Sequence, residues 1–129
     1  MATSIRPESS NPYAPTKSFT WTSGEKAIAR KAFEKALTSE LSTLIDEVKR
    51  RAGKILQPSD LWTLECYLKS RRKEIDRKYD YRYSVLPVVF GTLIAEGRLG
   101  EQDLDGLEEE KLAVIRRNAN YFHRYQLTD

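Results

Sequence analysis

Residues 22–53 read TSGEKAIARKAFEKALTSELSTLIDEVKRRAG, and their periodicity decides the fold. Thr22-Ser23-Gly24-Glu25 is a capping box, with Thr22 as N-cap and Glu25 reaching back to its amide. Behind it Ala29, Phe33, Leu37, Leu41, Ile45 (with Leu44), Val48 and Ala52 recur every three or four residues. That is the spacing of one apolar stripe on one helix. From Glu25 onward no proline or glycine interrupts it before Gly53, which follows the basic last turn Lys49-Arg50-Arg51 and reads as the C′ residue. The predicted helix has about 30 residues and spans about 45 Å. A compact domain of this chain's length has a radius of gyration of only about 14 Å. So long a helix overhangs it, and its stripe needs cover along the whole length. The expectation is an elongated helical hairpin completed by a second copy, a homodimer.

Working downstream, Gln57-Pro58-Ser59-Asp60 restarts a helix with proline in the first turn, a Ser or Asp cap and acid near the positive end. Leu61, Leu64, Leu68, Arg71 or Arg72, Ile75 and Tyr79 mark its stripe, with Trp62 at the edge. Glu65–Lys69 and Glu74–Lys78 stand at the favourable i,i+4 spacing. The pattern resets near Asp80. Ser84 is the expected cap of a third helix, placing Pro87 in its first turn, where it is tolerated; Val85, Val88, Val89, Leu93 and Ile94 are its expected buried residues, and Gly97 stops it. Leu99, Leu104 and Leu107 follow in an acidic turn region. A last helix from about Glu108 carries Leu112, Ile115, Ala119 and Phe122 on one face, with Glu108-Glu109-Glu110 at its start and Arg116, Arg117 and Arg124 toward its end, complementing the dipole. No segment alternates like a strand, and no repeat is present. The fold class is all-α: a dimerisation stalk over residues 22–80, then a small helical head over 81–129.

Upstream, residues 1–21 contain Pro7, Pro12 and Pro15 among Ser, Thr and Asn, with almost no aliphatic residues, and read as a disordered arm. The first residues lack the apolar core of a signal peptide, so a cytoplasmic protein is expected. Of the 129 residues 40% are hydrophobic and 32% charged; no run approaches the roughly 18 apolar residues of a membrane helix. One cysteine, Cys66, excludes an internal disulfide, and with one histidine, His123, it makes no plausible zinc site. Neither metal nor cofactor is expected. There is no phosphate-cradling Gly-rich loop, nucleophile elbow or HExxH pair, so the chain reads as no enzyme.

The net charge is +3, a smaller excess than a dedicated nucleic-acid binder usually concentrates, and charge alone does not decide. The run from Lys69 to Tyr83 holds seven basic residues and three tyrosines, a composition suited to phosphate contact with base stacking. Glu74, Asp76 and Asp80 interrupt it, however, and mixed charge favours a solvated or protein-docking face. Trp62 and Arg72 stand ten residues apart on one helix, about 80° apart in direction and about 15 Å along the axis. They are the residue types that form interface hot spots.

Asp60-Leu61-Trp62-x-Leu64, then Leu68, then Arg72-x-Glu74-Ile75-Asp76-x-Lys78-Tyr79-Asp80-x-Arg82-x-Ser84-Val85 resembles the cyanobacterial fluorescence recovery protein family. The resemblance extends through Phe90 and Glu96-Gly97, covering about residues 23–97 well and the C-terminus loosely. It implies an all-α dimer that binds the photoactivated orange carotenoid protein and speeds its return to the resting form, ending phycobilisome quenching. It further implies that Trp62 and Arg72 belong to the partner-binding surface and Leu61, with Leu64 and Leu68 on its stripe, to the dimer contact. Three positions depart from the family: Glu65-Cys66 stand where it has a His-Asp pair, and Val88 stands for an exposed head phenylalanine. A helical dimer of this type that serves another protein partner is the alternative; a small nucleic-acid-binding protein comes third.

Overall fold

The Thr22 hydroxyl accepts the Glu25 amide at 3.1 Å, and the Glu25 carboxylate accepts the Thr22 amide at 3.1 Å. The capping box therefore starts the first helix where the sequence places it. The computed structural model describes residues 19–127, which form α1 (Ser23–Ala52), α2 (Pro58–Lys78), α3 (Leu86–Ala95), a 3-10 turn (Glu101–Leu104) and α4 (Glu109–Leu127). No strand occurs among the described residues. The expected arm lies outside them up to residue 18, but its last three positions are in view and two of these are not arm. Trp21 is only 8% exposed and Phe19 packs beside it on the core, because two aromatic rings next to a core gain too much from burial to stay in water.

The buried stripe of α1 is not the one its large apolar residues suggest. Ala29, Ala32, Phe33, Ala36 and Leu44 are buried with the charged Glu25 and Glu40, while Leu41 and Ile45 are exposed. The alanines stand at three- and four-residue spacing on the face that shares its core with the head. Trp21, Ala29 and Phe33 share one core with Leu86, Phe90 and Ile115. The core thus crosses the expected boundary at residue 80, and the first half of α1 packs as part of the head.

Within the head, α3 lies against α4 through Gly91. A Cβ there would fall 2.5 Å from Asn118 Cβ and 3.0 Å from the Ala119 amide nitrogen, so the glycine sets how near the helices come. Gly97 ends α3 at φ 80°: its amide reaches the Ile94 carbonyl at 3.0 Å and the Arg98 amide the Leu93 carbonyl at 2.8 Å, the paired bonds of a Schellman cap. Two expected caps differ. Gly53 keeps a right-handed φ of −68°, since the chain unwinds through further turns at Lys54 and Ile55 rather than reversing. Ser84 makes no cap; α3 begins after a turn in which the Val85 and Leu86 amides bond the Arg82 carbonyl.

At the other end, the Asp60 carboxylate accepts the Leu56 and Gln57 amides at 2.9 and 3.2 Å. Asp60 therefore caps from inside the first turn of α2, with Gln57 in the N-cap position. The Arg51 guanidinium lies 3.7 Å from the centre of the Tyr67 ring and pins α2 to the end of α1. The hairpin is thinly packed all the same: Ile75 is the one buried residue of α2.

Candidate functional site

Along α2 the apolar residues that the sequence marks stand largely in water. Leu61 is 48%, Trp62 62% and Leu68 43% exposed, and Leu56, just before the helix, is 92% exposed. Large apolar residues exposed together are the mark of a contact surface. Leu64 differs: it is half-buried and lines a small pocket with Arg51 and Ile55, so it belongs to the packing of its own hairpin. Leu68 and Arg72 line one open apolar groove between α1 and α2, floored by Phe33, Leu37 and Ile75. Trp62, three residues before the first α2 residue of the groove, does not line it. Cys66 is exposed, and Glu65 stands on the rim of the groove.

The adjacent arginines have opposite fates. Arg72 points outward with its Nε 3.9 Å from Asp76 Oδ2, an exposed pair of the kind that contributes little. Arg71 turns inward and donates from Nη2 to Glu40 Oε2 at 3.1 Å. Glu40 also accepts from Lys78 Nζ at 2.9 Å and from the Tyr79 hydroxyl at 2.8 Å, and Lys78 reaches Glu96 at 2.7 Å. Burial alone would raise the Glu40 pKa, but the bonds from Lys78, Tyr79 and Arg71 outweigh it and hold the carboxyl below its usual range. Burial, and then the same carboxylate, push the Tyr79 phenol up. This network fixes the end of α2 to the middle of α1 and the end of α3, and so sets the angle between hairpin and head. Periodicity gives no sign of Glu40, since a glutamate on a long helix reads as surface.

The tyrosines of the basic run are also engaged. Tyr79 and Tyr81 meet Phe33 edge-on at ring-centre distances of 5.5 and 4.9 Å. Tyr83 closes the chain of rings between Tyr81 and Trp21, at 5.4 and 5.5 Å. Glu74, Asp76 and Asp80 pair with Arg71, Arg72 and Arg82. What remains outward on α2 is an apolar and arginine-bearing face suited to a protein. No helix among the described residues is long and apolar enough to cross a membrane.

Residues 21–119 match the family model of the photoprotection regulator fluorescence recovery protein. The chain is similar to the fluorescence recovery protein of Synechocystis sp., 38% identical over 96 residues that span 74% of this chain and 88% of that protein. Among solved structures, the fluorescence recovery protein of Fremyella diplosiphon aligns at a TM-score of 0.74 and 42% identity, over 78% of this chain and 99% of that one. The Synechocystis structure aligns at 0.74 and 38% identity over the same shares.

Proposed function

Because the chain belongs to the fluorescence recovery protein family of photoprotection regulators, we propose that it binds the photoactivated orange carotenoid protein and speeds its return to the resting form. Phycobilisome quenching then ends. It acts in the cytoplasm as a homodimer, without catalytic residues, cofactor or metal. Leu61 and Leu68 meet the second copy, backed by Leu64 from within the hairpin, and Trp62 with Arg72 faces the carotenoid protein. The observation that carries this reading is the exposure of Trp62, 62%, on a helix that also presents Arg72 outward. An exposed indole and an outward guanidinium held only by a weak surface pair are the residue types that become productive at an interface. To accelerate a conformational return, the protein must bind the transition state of closure more tightly than the photoactivated form.

The test is the dark recovery of the orange form after illumination. The chain in excess is expected to raise the rate, and Trp62→Ala or Arg72→Ala to abolish the effect. Cys66 offers no charge where the resemblance places a carboxylate, and a lost charge-assisted bond costs about 1.5–3 kcal/mol, roughly one to two decades in affinity. Cys66→Asp should therefore strengthen the effect. If the wild type and Cys66→Asp both leave the rate unchanged at high concentration, the fold serves another partner.

A further inference from the structure

Leu64, Tyr67, Arg71, Ile75 and Lys78 recur at three- and four-residue spacing on α2, and they are the residues by which the helix is held. Leu64 shares a small pocket with Arg51 and Ile55, and Tyr67 meets the Arg51 guanidinium. Arg71 and Lys78 reach Glu40, and Ile75 is buried. This inward seam is not the apolar stripe of the helix. At about 100° per residue, the line through Leu61, Leu68 and Arg72 lies roughly 80° around the axis from it. The helix therefore sits rolled away from the orientation that its own leucines favour.

The roll leaves a groove open. Leu37, Leu41 and Leu44 of α1 face Leu68 and Arg72 of α2 across about 830 Å³, and Leu41 and Leu68 stay 40% and 43% exposed. Burial of apolar surface is favourable, so turning α2 until Leu68 rests on Leu41 should close the groove. The same turn would draw Arg71 off Glu40 and carry Tyr67 away from Arg51. Glu40 is 3% exposed, and a carboxylate at that depth is strongly destabilised when its counter-charges leave. Apolar packing supplies little of the hold, since Ile75 is the one buried residue of α2.

We propose that Glu40 is a positioning residue: it fixes the rotation of α2 about its own axis, so that the groove stays open, Leu68 stays free for the second copy and Arg72 points outward to the partner protein. The inference rests on the function proposed above for what that face does, and adds how the face is kept available. The key is charged because a charge pairs only with its own partner, whereas leucines would accept either orientation.

The experiment is NMR spectroscopy of the full chain beside the dark-recovery assay. The Tyr67 ring, 3.7 Å from the Arg51 guanidinium, should shift the Arg51 side-chain protons upfield. Arg51 stands about 16 Å along α1 from Glu40, too far for a local disturbance at Glu40 to reach it. In Glu40→Leu the ring shift is expected to vanish and the acceleration of recovery to fall about tenfold or more. Glu40→Leu/Arg71→Leu, which restores a matched pair on the seam, is expected to regain both. Should Glu40→Leu fail to fold by circular dichroism, Glu40→Gln, which keeps the shape and removes the charge, decides by the same shift. A ring shift unchanged in the folded variant overturns the inference, whatever the recovery rate. A shift lost there and not regained in the double variant reports a loosened helix rather than a rolled one, and overturns it as well. A shift that moves as expected, beside a wild type that never accelerates recovery, upholds the placement of α2 and overturns the proposed function instead.

Discussion

Lys111 Nζ lies 3.1 Å from Glu25 Oε1 across a separation of 86 residues, and both side chains are buried. Lys111 also bonds Glu108 at 2.9 Å and lies 5.2 and 5.3 Å from the ring centres of Trp21 and Phe19. The second oxygen of Glu25 accepts the Glu108 amide at 2.9 Å. One carboxylate therefore caps α1, meets the positive start of α4 and neutralises a lysine with no exposed surface. Burial alone would lower the Lys111 pKa, but Glu108 and Glu25 outweigh it and raise it.

Removing the lysine leaves Glu25 buried without its counter-charge. Lys111→Met should therefore destabilise the protein by about 3–5 kcal/mol, the usual cost of breaking a buried pair. The double variant Glu25→Gln/Lys111→Met should recover a large part of that. A denaturant double-mutant cycle measures both; an additive result would mean that the pair is not coupled.

Acid should weaken the fold through Glu25 and Glu40, the two buried carboxylates. Burial pushes the Glu25 and Glu40 pKa values up, but their hydrogen bonds outweigh it and leave both lowered from 4.5. A carboxylate whose folded pKa is depressed binds fewer protons folded than unfolded. Its contribution is complete above pH 4.5 and lost as pH falls below that value through the folded pKa. Tyr79→Phe removes one donor to Glu40 and should cost about 1.5–3 kcal/mol, and it should move the onset of acid unfolding to higher pH. Melting curves between pH 7 and pH 3 read the shift, and identical onsets would show that Tyr79 does not support the Glu40 charge.

Gly91→Ala puts a methyl group 2.5 Å from Asn118 Cβ and 3.0 Å from the Ile115 carbonyl oxygen. Part of that clash is with backbone, which cannot rotate away. Overpacking of about 1–3 kcal/mol should exceed the roughly 1 kcal/mol that alanine gains over glycine in a helix. A lower melting temperature is expected; a higher one would mean that α3 and α4 separate easily.

Leu61→Glu separates folding from assembly. Leu61 is already 48% exposed in the single chain, so the substitution should leave the helical signal intact. In the dimer proposed above it buries a carboxylate without a partner, which costs several kcal/mol, about 3–5. Light scattering at micromolar concentration should find a dimer for wild type and a monomer for the variant; a wild-type monomer would remove the dimer.

The sequence by itself determined the helices and several of their ends. The capping box at Thr22, Pro58 in the first turn of α2 and Gly97 after α3 act through groups within a few residues of one another, so their effects are written locally. That Leu61 and Leu68 share a stripe with Trp62 at its edge follows from the same local logic, because side-chain spacing fixes which residues share a face; that all three stand exposed is read from the structure. Only the tertiary structure decided which face each helix buries. Ala32 and Ala36 are in the core while Leu41 and Ile45 stay exposed, because the head covers the face of α1 that carries the alanines. Arg71 rather than Arg72 turned inward because Glu40 lay across from it. A buried charge such as Lys111 or Glu40 is stable only if its counter-charge arrives from elsewhere in the chain. That partner is supplied by the fold, 86 residues away for Lys111, and no local pattern in the sequence records it.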